Sequence, residues 1–120
     1  MSADLFEERL AKVRHRFAST LEGRIADACR ALPRLIGNDA AAARQLAETY
    51  PQIHGLCGIG ASVGFAATSK TARDAEAILL SPYKSQRGLT AAEGQLLEKA
   101  LEALLAAAQS ELQSVHAREG

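Results

Sequence analysis

The stretch Ile53-His54-Gly55-Leu56-Cys57-Gly58-Ile59-Gly60-Ala61-Ser62-Val63-Gly64-Phe65 decides how the chain is read. Leu56, Ile59 and Val63 recur at the i, i+3, i+7 spacing of an amphipathic helix. At about 100° per residue these three fall within roughly 60° of one another, and His54 falls on the opposite side. Small residues flank the histidine on that outer face: Gly55, Cys57, Gly58, Ala61 and Ser62. A glycine inside a helix costs about 1 kcal/mol relative to alanine, so Gly55, Gly58 and Gly60 together forgo about 3 kcal/mol. Close approach by another molecule, or by another helix, would have to offset that loss.

The rest of the sequence supplies the setting. Its 120 residues are one domain's worth, with a core expected over about residues 4–115. Hydrophobic residues make up 48% and charged residues 23%, a globular rather than a disordered balance. Alanine and leucine dominate and β-branched residues are sparse, which favours helices throughout. A formal net charge of zero argues against a chain that coats nucleic acid or an anionic membrane. No apolar run approaches the ~20 residues of a spanning helix. Met1-Ser2-Ala3-Asp4 lacks the basic and apolar regions of a signal peptide, and two free cysteines suit a reducing compartment, so a cytoplasmic protein is expected.

A first helix is expected from Asp4 to about Leu32, capped by Ser2 or Asp4. Its stripe is Leu5, Phe6, Leu10, Val13, Phe17, Leu21, Ile25, Ala28 and Leu32, and Pro33 with Gly37-Asn38 ends it. Arg9, Lys12, Arg14, His15 and Arg16 form its basic cluster, either a solvated face or a docking edge for an acidic partner. Asn38 or Asp39 can cap a second helix from Ala40, which Pro51 either kinks or restarts before it runs on to Gly64. Phe65 to Leu80 forms the next helix, burying Phe65, Ala72, Ala75, Ile78 and Leu79. Ser81 to Gly88 is expected as loop, ending at Thr90-Ala91-Ala92-Glu93, the form of a capping box. A last helix reaches about Val115 with Leu96, Leu97, Ala100, Leu101, Leu104, Leu105, Ala108 and Leu112 inward, and His116 to Gly120 should fray. The fold class is all-α: an antiparallel up-and-down four-helix bundle, with room for an extra short or kinked helix.

In its central stretch the chain resembles the histidine-containing phosphotransfer (HPt) domains of bacterial two-component phosphorelays. Their motif is a histidine, then leucine two on, lysine three on, glycine four on, small residues after that, and glycine ten on. Those positions are His54, Leu56, Cys57, Gly58, Ala61 and Gly64 here, and Arg73-Asp74-Ala75-Glu76 looks like part of the family's following helix. The likeness spans about Ala40 to Leu80. It departs at Cys57, where lysine is usual; a thiol cannot supply that charge, and Lys70 or Arg73 on the next helix are the candidates to replace it. The resemblance implies that His54 is a phosphoacceptor, and that Gly55, Cys57, Gly58, Ala61, Ser62, Lys70 and Arg73 lie near the phosphoryl group or the docked partner. Leu56 and Gly64 belong to the structural part of the motif. It further implies receiver domains of response regulators as partners, with a hybrid sensor histidine kinase as a further candidate. The partner would bring Mg²⁺, and this chain would bind no cofactor of its own, no nucleic acid and no membrane. A monomer is expected.

Plainer readings stand beside these. His54 could be a core-edge histidine without chemistry, and Cys29 is expected as a core filler. His15 and His116 are expected on the surface, and Tyr50-Pro51 as a kink. His54 and Cys57 alone are too few for a metal site. No phosphate-binding G-x-x-x-x-G-K-[ST] is present. The rival to phosphotransfer is a helical adaptor or inhibitor that keeps the bundle without the chemistry. A small enzyme built on His54 and Cys57 finds no orienting carboxylate nearby in sequence.

Overall fold

The computed structural model describes residues 2–119, with side-chain surroundings from 4 to 117. Its helices are α1 (Ser2–Leu35), α2 (Ala40–Ser62), α3 (Ala66–Lys84) and α4 (Ala91–Glu119). Each packs against the next, and α4 closes the ring on α1. The molecule is therefore an all-α, antiparallel four-helix bundle. Its core is filled by Phe17, Leu21, Ile25 and Leu35 from α1 and Leu46, Ile53 and Leu56 from α2. Ala72, Ala75 and Leu79 from α3 and Leu97, Leu101, Leu104 and Ala108 from α4 complete it.

Local chemistry sets the helix ends. The Asp39 carboxylate accepts from the Ala42 N–H at 3.0 Å and starts α2. Gly64, at φ +87°, takes the left-handed conformation that lets the chain turn into α3. Phe65 precedes α3 and has no side chain able to cap it, so Glu111 does this from α4. It accepts from the N–H groups of Ala67 and Thr68 at 3.2 and 2.7 Å and from the Thr68 hydroxyl at 2.7 Å. The Thr90–Glu93 capping box forms: Thr90 Oγ1 accepts from the Glu93 N–H, Glu93 Oε1 accepts from the Thr90 N–H, and Arg87 grips the same carboxylate in a fork. At that end Ile36 and Leu89 form a short parallel bridge, with Gly37 N–H donating to Leu89 C=O and Leu89 N–H to Leu35 C=O. A Cβ on Gly88 would stand 2.3 Å from the Gly37 carbonyl oxygen, so only glycine fits this crossing.

Several sequence expectations change. Pro33, Pro51 and Pro82 all lie inside helices. Pro51 neither breaks α2 nor starts a further helix; it and Ala47, whose carbonyl loses its donor, are both exposed, so water can serve that oxygen. The expected loop from Ser81 is helical as far as Lys84, and α4 runs on past Val115 to Glu119, while Gly120 lies outside the described residues. α1 begins at Ser2, so Asp4 sits in its first turn rather than at the cap. Leu5, Phe6, Val13 and Leu96, expected in the core, are exposed, as is Cys29. His15 and His116 are exposed as expected. No helix is long and apolar enough to cross a membrane among the described residues.

Candidate functional site

The α2–α3 hairpin positions the site. His54 lies eleven residues before Phe65 and Glu76 eleven after it, so antiparallel packing about the Gly64–Phe65 turn sets them side by side. The imidazole remains 68% exposed and its Nδ1 is hydrogen-bonded to Glu76 Oε2; the glutamate is only 21% exposed. An ionised carboxylate can only accept, so Nδ1 carries the proton in this contact, and in the neutral tautomer the lone pair is then on Nε2. Tyr50, one turn earlier on α2, stacks beside the imidazole with ring centroids 6.1 Å apart, and its other neighbour is Tyr83 at 4.2 Å. Burial, and then the Glu76 carboxylate, push the Tyr50 phenol up from its ordinary pKa, so it stays a neutral wall. Tyr50 is thus a packing partner of the histidine.

The inward face of α2 is Ile53, Leu56, Cys57, Gly60 and Val63. Ile59, expected inward, is 39% exposed, and Cys57, expected beside His54 on the open face, is buried. Counting Ile53, Cys57 and Gly60 in place of Ile59 turns the buried stripe by about 60°. His54 consequently stands at the edge of α2 nearest α3, where Glu76 can reach it. The Cys57 thiol points toward the Ile53 carbonyl at 3.5 Å. Burial, then Glu76, raise its pKa, and Arg73 pulls the other way, so it is a protonated filler and not a nucleophile. It forms no metal pair with His54, and no group of three His, Cys, Asp or Glu converges among the described residues.

The glycines divide by role. Gly60 is buried, and a Cβ there would stand 3.5–3.6 Å from the Phe65 carbonyl oxygen, Phe17 and Ser69, an ordinary contact with the interior. A Cβ on Gly55 or Gly58 would meet nothing within 4 Å. Nothing inside the bundle requires those two to be glycine. Gly58, Ala61 and Ser62 are exposed along the face beyond His54, and Leu56 is buried beneath it. Lys70 and Arg73 of α3 share a shallow depression with Ala61, and Arg73 lies one turn along α3 from Glu76. The site is therefore an open, flat-floored surface with a carboxylate-oriented imidazole at one point and two cations farther along the groove. Such an array can offer an imidazole nitrogen to an electrophile and hold negative charge nearby. Sequence reasoning missed Glu76 as the partner of His54, and Tyr50 and Tyr83 beside it; the symmetry of the hairpin about its turn was the signal.

No protein-family model matches the chain, and neither a curated protein nor a solved structure does.

Proposed function

We propose that this chain is a histidine phosphotransfer protein. It would accept a phosphoryl group on His54 from the phosphoaspartate of a response-regulator receiver domain and pass it to another receiver. On acceptance Nε2 attacks phosphorus in line, an N–P bond forms, the P–O bond to the aspartate breaks, and the carboxylate leaves with its electron pair; on onward transfer an aspartate oxygen of the second receiver attacks phosphorus, a P–O bond forms, the N–P bond breaks and Nε2 recovers its lone pair. Glu76 keeps the remaining ring proton on Nδ1 and balances the positive charge that develops on the ring. Phosphoryl transfer asks mainly for positioning and charge stabilisation. The receiver's Mg²⁺ would supply most of the latter, with Lys70 and Arg73 adding to it. The observation that carries the reading is the exposed His54 oriented by Glu76 beside two glycines that nothing within the bundle requires. A hybrid sensor histidine kinase would stand upstream and the setting would be the cytoplasm.

The test is transfer of labelled phosphate from phosphorylated receivers of the same cell. The proposal expects alkali-stable, acid-labile label on the wild type and none on His54→Gln. Binding of a receiver without label would instead make the chain an adaptor or inhibitor that uses the same face.

A further inference from the structure

The α2–α3 face extends beyond His54 toward the start of α2 and the end of α3. Along α2, Ala43 and Ala47 continue the row of Tyr50 and His54 at 3- and 4-residue spacing; along α3, Leu80 and then Tyr83 and Lys84 continue that of Arg73 and Glu76. Leu80 and Tyr83 are each 37% exposed, large apolar side chains left open beside the histidine. Tyr83 leads into a groove floored by the buried Leu46 and Pro82 and edged by Arg44, Lys84 and Gln86. Its α3 wall is pinned by the Gln86 N–H donating to the Tyr83 carbonyl at 3.2 Å and the Arg87 N–H to the Pro82 carbonyl at 3.1 Å, so the groove is preformed. No carboxylate lines it among the described residues, and Glu48, one turn on from Arg44, stands outside it. At the opposite end of the face Asp74 lies beside Lys70 and Arg73, and Glu76 is engaged by His54. Arg44 and Lys84 are thus the cations of this face with no acid set against them in their groove, and neither forms an ion pair among the described residues.

We infer that the receivers served by this chain reach past His54, set an acidic side chain in the Arg44–Lys84 groove and an apolar one over Leu80 and Tyr83, and are selected by these four residues. The inference rests on the phosphotransfer reading and names what chooses the partner. Scale supports it. At about 1.5 Å per residue, Lys84 lies about 12 Å along α3 from Glu76, and Arg44 about 15 Å along α2 from His54. An interface of standard size covers about 800 Å² of each partner, a disc of about 16 Å radius, so a receiver centred on His54 covers the groove. Charge supports it as well. A receiver holds its Mg²⁺ through carboxylates, so the surface that closes over His54 is acidic. Apolar side chains nearest the centre with charges toward the rim are the usual anatomy of a protein interface. A free anion would gain from Arg44 and Lys84 but would leave Leu80 and Tyr83 uncovered.

Single-turnover transfer from the purified, phosphorylated receiver domains of the same cell tests it, with calorimetry on the same receivers unphosphorylated. For receivers that the wild type uses, Arg44→Glu, Lys84→Glu should raise the half-saturation constant and the dissociation constant about tenfold. The limiting transfer rate should stay unchanged, because His54 and Glu76 are untouched. The difference from wild type should shrink as salt rises toward about 1 M. Leu80→Ser should weaken binding by a similar factor at every salt concentration. Arg44, Lys84 and Leu80 are all exposed, so helical circular dichroism should match the wild type in each variant. Unchanged half-saturation and affinity in the charge variant overturn the inference, and so does a fall in the limiting rate alone. If no receiver transfers phosphate, the phosphotransfer reading falls and binding alone judges the groove. Affinity lost in the charge variant then keeps it; affinity equal to the wild type, or no binding by any receiver, overturns it.

Discussion

At the scale of single residues, the proposed transfer depends on His54 and on the Glu76 carboxylate that orients it. Replacing Glu76 by glutamine keeps the shape but removes the charge that fixes the ring. Phosphotransfer should slow by up to about 10²-fold, the size expected when a reacting group loses its orientation. Receiver affinity measured by calorimetry should stay unchanged; an equal loss of affinity would mean that Glu76 contacts the partner instead. The open glycines give a second test. Gly58→Ala should raise stability in urea by about 1 kcal/mol, because the methyl meets nothing in the bundle. Gly58→Glu should leave the helical signal intact and abolish receiver binding in the same assay. Restoring lysine at position 57, as the family resemblance suggests, now carries a different expectation. Cys57 is 6% exposed, so Cys57→Lys should cost about 1–3 kcal/mol of stability, measured in the same urea titrations, through overpacking. The exposure of His54 was legible in the sequence because its position relative to Leu56 and Val63 is local. Glu76 was not, because its approach depends on where the hairpin turns, and a stripe drawn without Ile53 pointed Cys57 outward.

At the scale of helices, the starts of α2 and α4 could be read, while α1, α3 and α4 run past their expected ends. Asp39 and the Thr90–Glu93 box satisfy orphan backbone N–H groups with side chains close in sequence, so their spacing announces them. Pro33 and Pro82 misled, since packing of the helix faces outweighs a local penalty that shows plainly in sequence. Glu111 was invisible for the opposite reason: it caps α3 from α4, 43 and 44 residues away. Glu111→Ala should therefore cost about 1–2 kcal/mol in thermal melts, as the loss of a good cap does. The Arg87 guanidinium holds the Glu93 carboxyl down from its usual 4.5 to about 2. A folded-state pKa below the unfolded one adds stability above about pH 4.5, and that stability disappears as pH falls through about 2. Melts between those pH values should show wild type losing more stability than Glu93→Gln. Equal slopes would remove Glu93 from the acid response.

At the scale of the whole molecule, the ring of four helices follows from alanine- and leucine-rich segments with short connections, and the bundle was legible on that basis. What single-helix patterns cannot tell is helix length relative to neighbours. Leu5, Phe6 and Val13 look like core in the sequence, yet they lie before Arg14, where α1 meets the α2–α3 turn, and are exposed. Gly88 belongs to this scale as well, because it lets the α1–α2 and α3–α4 connections cross. Gly88→Ala should lower the melting midpoint, since its Cβ would meet the backbone oxygens of Gly37 and Leu35. The central claim is that one imidazole nitrogen on this bundle receives a phosphoryl group. Nitrogen-15 and phosphorus-31 NMR of the chain after incubation with a phosphorylated receiver tests this most directly. A single phosphohistidine is expected, at Nε2 of His54, absent from His54→Gln. Phosphate on His15 or His116, or none on any histidine while the receiver binds, would contradict it.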